Sequence, residues 1–130
     1  MIKNQTILVV DDEPSIRRLV RAYLEEAGYR VLVADDGAGA ITLYEEHRTT
    51  IRLVLTDVMM PKMNGLQLAD CVLRYEPEAR VLFMSGNSPS ASRGFGCLQK
   101  PFKAAELIDK IDEVLKGRQP PQMEQAAPAG

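Results

Sequence analysis

The chain has 130 residues, 45% hydrophobic and 26% charged, with a net charge of −2; this composition excludes wholesale disorder and predicts one compact domain. The weak charge and the lack of a Lys/Arg block argue against direct nucleic-acid binding. No apolar run approaches the roughly 18 residues that cross a bilayer, so we expect no membrane span and a cytoplasmic protein.

Short apolar runs alternate with amphipathic segments along the chain. Pro14 favours a helix start, and Gly28 and Gly117 are typical of residues just past a helix end. In chain order the pattern predicts a strand at 5–10, a helix at 16–27, a strand at 31–34, a helix at 37–47, a strand at 53–56, a helix at 66–75, strands at 81–84 and 97–99, and a last helix whose apolar face runs from 107 to 115.

This alternation predicts an α/β fold in which a five-stranded parallel sheet is covered by helices on both faces. The segment 86–96 departs from the pattern, because it has three Gly, one Pro and too few apolar residues for a full helix. We therefore expect the fourth crossover helix to be short or absent. Residues 118–130 have three prolines and no periodicity, which predicts a domain over 1–117 followed by a disordered tail or a truncated linker.

Polar side chains follow four of the five predicted strands. Ligands of open parallel sheets bind beyond the carboxyl ends of the strands. Three carboxylates, one hydroxyl and one ammonium should therefore meet at a single edge, from the residues Asp11, Asp12, Asp57, Ser85 and Lys100.

Three carboxylates at one edge need a cation or a raised pKa, because two carboxylates about 4 Å apart repel by roughly 4 kcal/mol at an effective dielectric of 20. Oxygen ligands without a nearby His or Cys favour Mg²⁺. With the charge neutralised by Mg²⁺ and Lys100, a carboxylate oxygen of Asp57 could attack a phosphoryl group, and Ser85 could hydrogen-bond it. Each acid alone is more simply interpreted as a loop or cap residue, but the set favours a site.

The segment after Asp57 contains a glycine and three methionines whose roles can be predicted. Gly65 is expected to use its freedom to adopt a positive φ before starting a helix. Because thioethers are poor ligands for Mg²⁺, we expect Met59, Met60 and Met63 to fill gaps in the packing rather than to bind metal.

Four segments resemble the motifs of the response-regulator receiver domain of two-component signalling. They occur in the family's order, each at a strand end, and the resemblance extends from residue 5 to about residue 116. The segments are 11–13, 57–65, 84–86 and 100–102.

The resemblance implies a flavodoxin-like, doubly wound sheet of order 2-1-3-4-5. It also implies a role for each site residue: Asp11 and Asp12 hold Mg²⁺, and Asp57 is the phosphoacceptor and a metal ligand. The main-chain carbonyl of Met59 is a further ligand, Ser85 senses the phosphoryl group, and Lys100 pairs with it. The implied partner is a histidine kinase or a phosphotransfer domain, and the Lys100–Pro101 bond is expected to be cis.

The sequence departs from the family at the face that transmits the signal. Receivers commonly carry Tyr or Phe three residues before the lysine, where this chain has Cys97. The segment between Ser85 and Lys100 is also short. These departures affect the expected output surface and leave the predicted phosphorylation chemistry intact.

The leading hypothesis is a phosphoacceptor that switches partner binding and turns over no separate substrate. One alternative is a pseudo-receiver that binds partners without being phosphorylated. A flavodoxin-like electron carrier is disfavoured by Asp11 and Asp12, since flavin phosphate needs a hydroxyl- and glycine-rich loop there. A Mg²⁺-dependent aspartyl-phosphate hydrolase usually has a second Asp where this chain has Met59.

Overall fold

A computed structural model of the chain describes residues 5–86 and 96–117. Strands and helices alternate as far as the fourth strand, as predicted. The elements are β1 (Thr6–Val10), α1 (Pro14–Glu26), β2 (Arg30–Ala34), α2 (Gly37–His47), β3 (Ile51–Asp57), α3 (Gly65–Tyr75), β4 (Val81–Ser85), β5 (Gly96–Gln99) and α4 (Ala104–Lys116).

The five strands form one parallel sheet in the order β2-β1-β3-β4-β5, which confirms the predicted flavodoxin-like topology. The register brings the carboxyl ends of the strands to one edge of the sheet. At that edge the paired residues are Val10 with Ala34, Val10 with Thr56, Asp57 with Met84, and Ser85 with Gln99.

Helices cover both faces of the sheet, because successive residues of a strand point to opposite faces. On one face Leu8 and Phe83 lie in a core shared with α2 and α3. On the other face Val9 and Met84 lie in a core shared with α1 and α4. All five residues of β1 are buried, as expected for the central region of a parallel sheet.

The helix ends follow local signals. Just past the end of α1 the backbone at Gly28 has φ of 102°. Glycine is favoured at this position because it adopts a positive φ without steric cost. Asp36 caps α2 by accepting the N–H of Gly39 at 2.8 Å. The side chains and N–H groups of Asn64 and Gln67 form a reciprocal capping box at the start of α3.

Strand β3 is longer than the prediction of 53–56. It begins at Ile51, which is buried, and includes Arg52, which is exposed. The charge of Arg52 interrupts the apolar run in the sequence, whereas in the fold its side chain simply points to solvent.

The loop or single turn expected in segment 86–96 lies, apart from its two terminal glycines, outside the described residues, and so does the expected tail at 118–130. Within the described ranges there are four helices, and none lies between β4 and β5. None of these four is long and apolar enough to cross a membrane.

Candidate functional site

The carboxyl ends of β1 and β3 bring three acidic side chains together. Asp11 and Asp57 are buried, and Asp12 is exposed. One carboxylate oxygen from each lies within 4.8 Å of the others. The cluster predicted from the strand ends is therefore present.

Asp11 has no exposed surface, and hydrogen bonds hold it at four atoms. Its N–H donates to the carbonyl of Ala34 at 3.2 Å, which extends the pairing of β1 with β2. Its Oδ1 accepts the N–H of Glu13 at 2.9 Å, and its Oδ2 accepts the ammonium of Lys100 at 2.9 Å. Its main-chain oxygen accepts the guanidinium of Arg17 at 2.7 Å.

The ammonium of Lys100 lies between two of the acids. Its Nζ is 2.9 Å from Asp11 Oδ2 and 3.5 Å from Asp57 Oδ1. Burial by itself lowers the pKa of Lys100, but the hydrogen bond and charge of Asp11, with the charge of Asp57, outweigh it and leave the pKa raised. Lys100 is therefore held in its charged form.

Asp57 is buried at the end of β3. Burial raises the pKa of its carboxyl above the ordinary value, the Lys100 ammonium opposes that rise, and the charge of Asp11 adds to it. A hydrogen bond from the main-chain N–H of Met59 also lowers the pKa. A further positive charge beside Asp57 would lower this pKa, as the charge of Lys100 does.

Ser85 ends β4 beside the acids. It is buried, and its main-chain carbonyl accepts the N–H of Lys100 at 2.7 Å. Because Met84 pairs with Asp57, the next residue, Ser85, lies just beyond the acid at the same edge. The Lys100–Pro101 bond is cis, as the resemblance implies.

The loop after Asp57 corrects one expectation. Among the described residues Lys62, with φ of 70°, has a positive φ in this loop, whereas Gly65 does not. Glycine is needed at position 65 for space, because a Cβ there would lie 2.3 Å from the main-chain oxygen of Asp57. The prediction of conformational freedom was wrong, and the physical reason is a close approach of two backbones.

The methionine prediction is correct for two residues and wrong for one. Met60 is buried, and Met63 packs against the core. The side chain of Met63 lies so close to Gly37 that a Cβ at position 37 would be 2.6 Å from the Sδ of Met63. Met59 is 65% exposed, so its side chain fills no gap in the packing.

The acidic cluster fits a divalent cation. One ammonium against three carboxylates leaves two surplus negative charges among these four groups. The N–H of Glu13 and the ammonium of Lys100 donate to two of the roughly four lone-pair positions of the Asp11 carboxylate. The other positions can still coordinate a cation. An all-oxygen set of hard ligands suits Mg²⁺.

Sequence reasoning missed Arg17. The signal available in the sequence was a basic residue in the first turn of a helix, where the macrodipole disfavours positive charge. The six-residue separation from Asp11 could not be interpreted without the path of the chain between them.

Cys97 occupies the position where the family commonly has an aromatic ring. It pairs with Phe83 in the sheet register and packs half-buried against the core next to α2 and α3. Burial raises the pKa of the Cys97 thiol, and the charge of Lys110 opposes this rise. The thiol is thus kept protonated at neutral pH.

Comparison with known proteins agrees with this geometry. The sequence model described as response regulator receiver domain matches residues 7–112. The chain belongs to the receiver-domain family. The receiver protein CpdR of Brucella abortus (strain 2308) is 34% identical over 116 residues, which cover 84% of this chain and 95% of CpdR.

Solved receivers have the same fold. The receiver domain of the hybrid histidine kinase CckA superposes with a TM-score of 0.76 at 34% identity, covering 85% of this chain and 98% of that one. TrrA of Thermotoga maritima, solved in complex with Mg(2+)-BeF, gives 0.77 at 30% identity, covering 85% and 99%. Several transcriptional regulators also match, and this receiver spans about half of their length.

Proposed function

We propose that this receiver domain accepts a phosphoryl group onto Asp57 from the phosphohistidine of a histidine kinase or phosphotransfer domain, and that the modified state switches partner binding. The observation that carries the proposal is the position of Lys100, whose ammonium contacts both Asp11 and Asp57 within a cluster of three carboxylates.

In the transfer, a carboxylate oxygen of Asp57 attacks phosphorus. A P–O bond forms, the P–N bond breaks, and its electron pair stays on the imidazole nitrogen of the donor. The product is an acyl phosphate on Asp57. The later attack of water returns free phosphate and the carboxylate, so the domain turns over its own modified state and no separate substrate.

The residues assigned to Mg²⁺ are Asp11, Asp12 and Asp57, with the main-chain oxygen of Met59. A bound Mg²⁺ would supply charge neutralisation where the anionic phosphoryl group meets these carboxylates. TrrA, which has the same fold at 30% identity, was solved with Mg(2+)-BeF, and this supports the choice of cation.

Lys100 and Ser85 act on the phosphoryl oxygens in this proposal. The ammonium of Lys100 is already oriented by Asp11 and lies 3.5 Å from Asp57 Oδ1, so it is close enough to donate a hydrogen bond to a phosphoryl oxygen on that carboxylate. The Ser85 hydroxyl can add a second contact that exists only in the modified state. Such differential contacts are what shifts a two-state equilibrium.

We assign residues 1–117 to the receiver domain and 118–130 to a tail or linker, and we place the protein in the cytoplasm. Direct binding to nucleic acid is not part of the proposed function. The pseudo-receiver alternative is not favoured, because all five predicted site residues are present in the chain and follow or end strands whose carboxyl ends share one edge of the sheet.

The test is to incubate the protein with a small phosphodonor, with and without Mg²⁺, and to measure intact mass and map the modified residue. We expect one phosphoryl group on Asp57, which disappears with chelator and in Asp57→Asn. Asp36→Asn is the matched control, because Asp36 caps α2 and lies outside the acidic cluster. Labelling that persists in Asp57→Asn would contradict the assignment.

A further inference from the structure

Arg17 is the second cation that touches the acidic loop. It lies in the first turn of α1, half-buried, and its Nη1 is 2.7 Å from the main-chain oxygen of Asp11. A hydrogen bond from a charged donor at this distance is short and strong. The neighbouring Arg18 is exposed on the same helix.

The position of Arg17 is unfavourable for helix formation alone. The amino end of a helix carries partial positive charge, and the first turn of α1 has no acidic residue to offset it. The N-cap residue Glu13 makes no side-chain capping hydrogen bond. The stabilisation of a guanidinium here therefore comes from its contact with the Asp11 carbonyl and from the nearby acids.

That contact restricts the orientation of a peptide plane. The oxygen of Asp11 and the nitrogen of Asp12 belong to the same planar peptide group. Holding the oxygen therefore fixes the direction in which the chain enters Asp12. Asp12 is exposed, so the orientation of its backbone is set mainly through its neighbour rather than by burial.

We propose that Arg17 is a positioning residue for the cation site: its guanidinium holds the Asp11–Asp12 peptide so that both carboxylates face the same ion. This inference rests on the proposed function, because it concerns the Mg²⁺ of that site. Arg17 itself contacts a carbonyl and takes no part in phosphoryl transfer.

Two effects of removing Arg17 have opposite signs, which makes the inference testable. Loss of a positive charge near the site, taken alone, tightens cation binding. Loss of the hydrogen bond frees the Asp11–Asp12 peptide and so weakens cation binding. Groups that orient metal ligands typically contribute 10–100-fold to affinity, so we expect orientation to dominate.

The experiment is calorimetric titration of metal-free protein with MgCl₂, after a thermal melt has shown that each variant is folded. For Arg17→Met we expect the dissociation constant for Mg²⁺ to rise about tenfold. Arg18→Met is the matched control, because it removes the same charge from the adjacent exposed position, and its constant should stay unchanged or fall slightly. Arg17→Lys retains the charge and one donor, so it should lie between the wild type and Arg17→Met.

Several outcomes would overturn the inference. One is Arg17→Met binding Mg²⁺ as tightly as the wild type or more tightly. Another is an equal loss in Arg18→Met, since the effect would then belong to the helix rather than to the hydrogen bond. Absence of Mg²⁺ binding by the wild type would overturn the proposed function as well, whereas the first two outcomes leave that function standing. If Arg17→Met is unfolded, Arg17→Lys gives the result, and an unchanged constant there counts against the inference.

Discussion

The ammonium of Lys100 lies 2.9 Å from the carboxylate of Asp11, a side chain with no exposed surface. The two residues are 89 positions apart and join the ends of β5 and β1. Lys100→Met leaves a buried carboxylate without its partner, so we expect the free energy of unfolding without metal to fall by about 3 kcal/mol in urea titrations. Arg18→Met, at an exposed position of α1, should change it by less than about 0.5 kcal/mol.

The same pair allows a double-mutant test. Adding Asp11→Asn to Lys100→Met removes the uncompensated charge, so part of the lost stability should return. A Lys100→Met variant as stable as the wild type would show that the contact contributes nothing in solution.

Asp12→Ala should separate metal binding from folding. It removes one of three crowded carboxylates, and because Asp12 is exposed it removes little packing. We expect the melting temperature without metal to stay the same or rise, and the increase produced by Mg²⁺ to shrink. Asp109→Ala, an exposed acid on α4, should leave the Mg²⁺ effect unchanged. A clear loss of metal-free stability in Asp12→Ala would argue against repulsion within the cluster.

Gly65, at the start of α3, and Gly86, just after β4, should respond differently to alanine. In Gly65→Ala the new methyl would lie 2.3 Å from the oxygen of Asp57, so the backbone must shift at a cost of about 1–3 kcal/mol. Among the described residues, a Cβ at position 86 would have no neighbour within 4 Å, so Gly86→Ala should be neutral or stabilising by up to about 1 kcal/mol. Chemical unfolding of both variants tests this, and equal effects would refute the steric reason for Gly65.

Tyr29 provides a pH-dependent prediction far from the acidic cluster. The pKa of Tyr29 is raised to about 12, chiefly by burial. The hydrogen bond that its hydroxyl donates to Asp112 at 3.1 Å and the negative charge of that carboxylate add to the rise. The pKa in the folded state lies above the ordinary value of 10.0, so the stability from this group is complete below pH 10 and is lost as the pH rises towards 12.

The measurement is the phenolate absorbance of the wild type minus that of Tyr29→Phe across this pH range. Asp112→Asn should shift the Tyr29 titration down towards 10, because the charge that opposes the phenolate is gone. A wild-type Tyr29 that titrates at its ordinary pKa would show that the hydrogen bond does not persist in solution.

Much of the fold was predictable from the sequence because its elements are encoded locally. Apolar runs such as 5–10 and the helical spacing from Ile16 to Ala27 marked β1 and α1 to within two residues. The alternation of strands and helices without hairpin turns then allowed little besides a parallel sheet. The same logic brought Asp11, Asp57 and Lys100 to one edge, because residues that follow parallel strands must share it.

The distances within the site were decided by the tertiary structure. The sequence determined which groups meet, whereas packing decided that Lys100 contacts both Asp11 and Asp57, that Arg17 contacts a carbonyl, and that Gly65 is needed for space. These contacts join residues on different elements, so they depend on strand register and helix placement to within about an ångström. A periodic pattern specifies the face on which a residue lies, but it carries no information at that precision, and the tertiary structure alone determined these contacts.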